Sequence, residues 1–257
     1  MSSTVSFAYA QARLQARFGE RPDEHVWQRL HSIGELGSYL QVARQTVLRK
    51  WVLGISPTHD SHDIELALRQ KFRNHIDEVA RWPPPAWRAA LQWIKCLPDL
   101  PAIQHLLGGG TVTEWMRRDP MLAAFTDIDT NMQTQSLRAS ECIVLAASIS
   151  RGDTLLQGWL QHWRELLPES AHSDTQISQG LNHLEALLRT QLNPQRDNTT
   201  PLLREDMTHR LRTAFRHCSF QPAAAVAYLA LTALDLERLR GDLLQRVLFS
   251  NACETPA

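Results

Sequence analysis

Apolar positions recur every three or four residues along almost the whole chain. Phe7, Ala10, Leu14 and Phe18 share one helical face while Gln11, Arg13 and Gln15 fall elsewhere. After the break at Arg21-Pro22-Asp23, a short helix carries Trp27 and Leu30. Leu36, Leu40, Ala43, Val47 and Trp51 then form a single stripe, with Gly34 and Gly37 marking the corner before it. Ile64, Leu68, Phe72, Ile76 and Val79 line a further helix up to Pro83-Pro84-Pro85, where missing N–H donors and fixed φ stop it. Trp87, Leu91 and Ile94 resume the pattern, and Leu100, Ile103 and Leu107 complete it before Gly108-Gly109-Gly110.

The next stretch is less regular. Trp115 and Met116 precede an Asp119-Pro120 break, and the polar run from Thr126 to Ser136 has loop composition. Three helices follow: Leu137 to Ile149, a second on Leu155, Trp159, Trp163 and Leu166, and a third on Ile177, Leu181, Leu184, Leu188 and Leu192. Asn193 to Pro201 has linker composition. Leu203, Met207, Leu211 and Phe215 share a face, and Pro222 opens a long helix through Leu229, Leu236, Leu239, Leu243 and Val247. Ser250 to Ala257 is expected to fray. No period-two alternation demands a strand, so the expected class is all-α. The glycine run and the Asn/Thr/Pro run divide it into helical units at 1–108, 109–200 and 201–257.

Charge narrows the function. The 27 basic and 27 acidic residues cancel, which removes the bulk attraction that carries nucleic-acid binding. Cys96, Cys142, Cys218 and Cys253 have no zinc-binding spacing and read as reduced cytoplasmic thiols. The first residues lack a secretory pattern. The longest apolar run, Ala223 to Leu234, would reach only about 18 Å as a helix, against roughly 30 Å of hydrocarbon. A cytoplasmic protein is expected.

Few residues advertise chemistry. His59, Asp60, His62 and Asp63 could place imidazole and carboxylate ligands on one turn, and a metal-dependent enzyme is one reading. The same residues stand just before the Ile64 helix, where Asp caps amides and first-turn acids complement the dipole, and capping is the simpler reading. Asp206 and His209 read as a solvated pair. Gly108 to Gly110 match no phosphate-binding loop and read as a flexible joint, and Trp159 and Trp163 read as core. No nucleophile motif is present, and no catalytic residue or cofactor is expected.

Tyr9-Ala10-Gln11-Ala12-Arg13-Leu14, then Leu36-Gly37-Ser38-Tyr39-Leu40 and Ile64-Glu65-Leu66-Ala67-Leu68, resemble the opening helices of the C-subunit family of V-type and A-type rotary ATPases, whose eukaryotic members are the d-subunits. Ala227-Tyr228-Leu229 followed by Glu237-Arg238-Leu239-Arg240 resembles that family's closing segment, with Arg238 where asparagine is usual. The resemblance covers roughly residues 5–107 and 201–248 of a chain shorter than typical members. A faint internal echo, Asp99-Leu100 with Ile103 and Asp235-Leu236 with Leu239, would fit the family's repeated helical units. The resemblance implies a non-catalytic connector between the central shaft and the membrane ring of ion-carrying subunits. Such a part acts in ion or proton transport, is held peripherally at the inner membrane through protein partners, and transmits torque. Arg13, Arg238 and Arg240 are the first candidates for its interface. A helical scaffold or regulatory module unrelated to ion transport is the alternative.

Overall fold

The computed structural model describes residues 3–126, 143–150, 153–191 and 201–252, and all regular structure among them is helical. In chain order, α1 is Ser3–Gly19, α2 Glu24–His31, α3 Leu36–Ala43, α4 Arg49–Val52 and α5 Ser61–Val79. Next come α6 Arg88–Gln92, α7 Leu100–Leu107, α8 Glu114–Arg118, α9 Ile143–Ser150, α10 Leu155–Glu165, α11 Glu169–Ser173 and α12 Thr175–Gln191. The chain closes with α13 Pro201–His217 and α14 Pro222–Ala252, and short 3₁₀ segments lie at Pro85–Trp87, Trp93–Asp99 and Ala123–Phe125. The all-α class is as the periodicity implied.

The chain forms two compact units, one of residues 1–75 with 199–257 and the other of residues 76–198. This grouping differs from the three consecutive segments at 1–108, 109–200 and 201–257. The difference arises because the N-terminal helices find their apolar partners at the other end of the chain: α1 and α3 both pack on α14. No boundary falls at the glycine run. The expected loop from Thr126 to Ser136 and the first part of the Leu137 helix lie largely outside the described residues, as do most of the Asn193 linker and the end of the tail.

In the first unit, α1 buries Phe7, Ala10 and Leu14 as its stripe requires, and Phe18 stacks on Phe215 of α13 with centroids 4.5 Å apart. Asp23 caps α2 by accepting the Val26 amide at 2.9 Å, and Glu35 caps α3 by accepting from Gly37 and Ser38. Gly37 therefore belongs to the first turn of α3, and only Gly34 lies in the corner.

The stripe expected to run unbroken from Leu36 to Trp51 is interrupted after Ala43. There the Thr46 hydroxyl donates to the Ala43 carbonyl and accepts from the Leu48 amide, offering the backbone a turn in place of a helix. Val47 is consequently 42% exposed while Leu48 and Trp51 are buried. The first half of α14 is buried all round, from Ala223 to Leu229, which explains its unpatterned apolar run. Among the described residues no helix is long and apolar enough to cross a membrane.

The second unit is built on indoles. Trp93 and Trp159 each donate the ring N–H to the other's carbonyl, at 3.1 and 3.2 Å, and their rings lie nearly parallel. Trp163 stacks on Trp159 one helical turn away, so both tryptophans are core residues. A capping box at Thr154 and Gln157 starts α10. Gly158 lets α10 approach α9, since a Cβ there would collide with the buried Ser148 hydroxyl. Glu185 of α12 accepts from Arg164 of α10 and from Arg189 one turn on.

The glycine run is a built helix end, not a flexible joint. The Gly108, Gly109 and Gly110 amides donate to the Gln104, Leu106 and His105 carbonyls, and Gly109 takes a φ of +77°. A Cβ on Gly110 would run into the His105 ring, which would have to move to admit it.

Candidate functional site

The densest arrangement of charged and hydrogen-bonding groups in the first unit follows one edge of α14. Asp235, Arg238, Asp242 and Arg246 are spaced by three or four residues and therefore share a face. Each meets a segment from the other end of the sequence. Arg21, in the α1–α2 turn, grips Asp235 with two donors at 2.7 and 2.9 Å and also donates to the Leu231 carbonyl. Arg238 makes a two-pronged pair with Glu24 at 2.9 and 3.0 Å, and its guanidinium lies 4.7 Å from the Trp27 ring centroid. The Tyr39 hydroxyl donates to Asp242 at 3.1 Å.

Arg246 reaches the carbonyls of Leu30, His31 and Ile33, and its guanidinium sits over the Tyr39 ring at 4.3 Å. It adds a charged donor to carbonyls at and just past the C-terminal end of α2, where helical N–H partners run out. On another side of α14, Arg240 meets Glu65 of α5 at 3.2 Å, and Glu65 also accepts from Arg69 at 2.6 Å.

The electrostatics follow from burial and these partners. Burial pushes the Asp235 carboxyl above the usual aspartate range, against the pull of Arg21. At Glu65 burial acts in the same sense, but Arg69 and Arg240 outweigh it and hold the carboxyl below its ordinary value. The hydrogen bond from Arg238 does the same for Glu24. Burial and the neighbouring Asp242 raise the Tyr39 phenol far above its ordinary range, so it remains a donor. Deeper in the unit, His75 Nε2 lies 2.9 Å from the Tyr228 hydroxyl, with the Trp51 ring edge-on to the imidazole.

The residues singled out in the sequence fare differently. Asp60 accepts the Asp63 amide at 2.7 Å and so caps α5, while the Ser56 amide donates to His59 Nδ1 at 3.4 Å. His59, Asp60, His62 and Asp63 are thus arranged around a helix start. Among the described residues no group of three or more His, Cys, Asp or Glu side chains could hold a metal ion. Asp206 pairs with Arg210 at 2.8 Å, on the exposed side of α13. Arg238 and Arg240 are brought into the first unit's own ion pairs with different partners, and Arg13 lies on the exposed side of α1.

Asp99 and Asp235 do not occupy equivalent places. Asp99 ends a 3₁₀ segment before Pro101, whereas Asp235 is in mid-helix. Arg21, Asp242 and Arg246 are members of the seam that sequence reasoning misses. Alternating charge at spacings of three and four on an otherwise apolar helix could find Asp242 and Arg246, whereas Arg21, in the α1–α2 turn, carries no such signal.

Among the described residues of this seam, none is arranged as a nucleophile with its base. Its groups are consumed in holding helices together, so the arrangement can fix helix positions against one another. Comparison with family models, with curated proteins and with solved structures finds no match.

Proposed function

We propose that the chain is a non-catalytic connector in a V/A-type rotary ATPase, joining the central shaft to the ion-carrying ring at the membrane. The observation that carries this reading is that the four motif stretches resembling the C-subunit family belong to the first unit, while the wider resemblance, to residue 107, runs on into the second. Tyr9 to Leu14 lie on α1, Leu36 to Leu40 on α3, Ile64 to Leu68 on α5 and Ala227 to Arg240 on α14. A part that transmits torque needs helices that resist sliding past one another. Ion pairs distributed along α14, at Asp235, Arg238 and Arg240, with Arg246 on the α2 carbonyls, supply that resistance. Arg13, on the exposed side of α1, would face a partner, whereas Arg238 and Arg240 would act through the pairs they already make.

The test is purification of the tagged chain from its native membranes with identification of what is bound. Recovery with shaft and ring subunits is the expected result. Recovery of the chain alone, away from membranes, would overturn the reading in favour of a helical scaffold.

A further inference from the structure

The elbow between α3 and α5, residues 44–55, differs in charge from the rest of the first unit. From Leu36 to His59 the sequence contains no acidic residue, while Arg44, Arg49 and Lys50 are all exposed. Lys71 of α5 joins them, its ammonium donating to the Lys50 carbonyl at 3.3 Å. Arg44 is fixed by donating to the Ile55 carbonyl at 2.6 Å, and the Lys50 ammonium lies 4.8 Å from the Trp51 ring centroid. Among the described residues Arg44, Arg49 and Lys71 make no ion pair, in contrast to Arg17, Arg21, Arg69, Arg238 and Arg240. Burial holds the Lys71 ammonium below the usual lysine range, and no carboxylate counters it.

The elbow is anchored from beneath by Leu48, Trp51, Val52 and Ile55, all buried. Two aliphatic side chains are left outside, Val47 at 42% and Leu53 at 55% exposure. Two aliphatics make a small apolar patch compared with the roughly 800 Å² that each partner buries in a stable protein interface. They suffice for contact with a bilayer surface, where shallow apolar insertion and attraction to anionic headgroups act together.

We propose that this elbow docks on an anionic lipid bilayer, with Val47 and Leu53 entering the headgroup region and Arg44, Arg49, Lys50 and Lys71 facing lipid phosphates. The inference is independent of the connector reading, because it concerns the purified chain without any other protein.

The test is co-sedimentation of the full chain with vesicles of phosphatidylglycerol and phosphatidylcholine, compared with phosphatidylcholine alone. Binding is expected only to the anionic vesicles and is expected to weaken with salt. The double variant Arg49→Gln with Lys50→Gln should bind about 25-fold more weakly, at about fivefold for each charge removed. Leu53→Ser should weaken binding without changing its salt dependence. Arg29→Gln with Arg216→Gln removes the same charge from exposed positions on α2 and α13 and should leave binding unchanged, with circular dichroism melting confirming that each variant is folded.

Equal binding to neutral vesicles, or an equal loss in the α2 and α13 control, would overturn the proposal. So would retention on a polyglutamate matrix without vesicle binding, which would assign the elbow to an acidic protein instead.

Discussion

In the first unit the side-chain ties between distant segments are mostly charged: Arg21 to Asp235, Arg238 to Glu24, and Arg246 to the end of α2. In the second, the ion pairs of Arg164 with Glu185 and Lys95 with Asp77 are joined by an aromatic cluster, in which Trp93 and Trp159 exchange hydrogen bonds and Trp163 and His162 pack around them. The contrast follows from the helices. α14 is largely apolar, so charged groups on one edge are the means of choosing which segment lies where, since each buried charge demands a particular partner. Apart from α12, the second unit's described helices are short, and stacked indoles supply large contact area with few residues.

The contrast can be broken most severely at Trp159. Its replacement by Ala removes a fully buried indole and the hydrogen bond that indole donates to the Trp93 carbonyl, and should cost about 3–5 kcal/mol by denaturant unfolding. Asp235→Ala should follow at about 3 kcal/mol, because it leaves the Arg21 guanidinium, 8% exposed, without its carboxylate. A loss as small as that of a surface pair would show that Arg21 finds other acceptors.

Glu65→Gln sharpens the electrostatic side and should cost about 1 kcal/mol at neutral pH. Its folded-state carboxyl titrates below the unfolded value of 4.5, so the stability it contributes is fully present above that pH. That contribution is lost as pH falls through the depressed folded value. The stability gap between wild type and variant should therefore be constant near neutrality and close in acid, and a gap that widened in acid would refute the assigned direction. The smallest effect is expected from Arg238→Ala, below about 1 kcal/mol in the same unfolding measurement. Glu24 is 60% exposed and screened by solvent, which leaves the contact with Trp27 as the main loss.

Much of the fold was legible in the chain. The stripe of Ile64, Leu68, Phe72, Ile76 and Val79 is buried without exception, and Asp60 caps α5 as its position implied. Legibility failed where a side chain competed with the backbone. Thr46 ends a stripe that periodicity would have continued to Trp51, and three consecutive glycines close a helix where their composition read as slack. It failed again for the charged seam. Arg246 and Ile33 are 213 residues apart, and a guanidinium reaching a carbonyl has no local signature.

Helical periodicity, proline stops and caps are local, because they depend on neighbours within one or two turns; they determined the class and most of the helices. Which helices meet depends on burial of surfaces contributed by both ends of the chain, and on charges that lower their energy only beside a partner. Tertiary structure alone therefore decided that residues 1–75 fold with 199–257, and that Arg238 and Arg240 pair with Glu24 and Glu65.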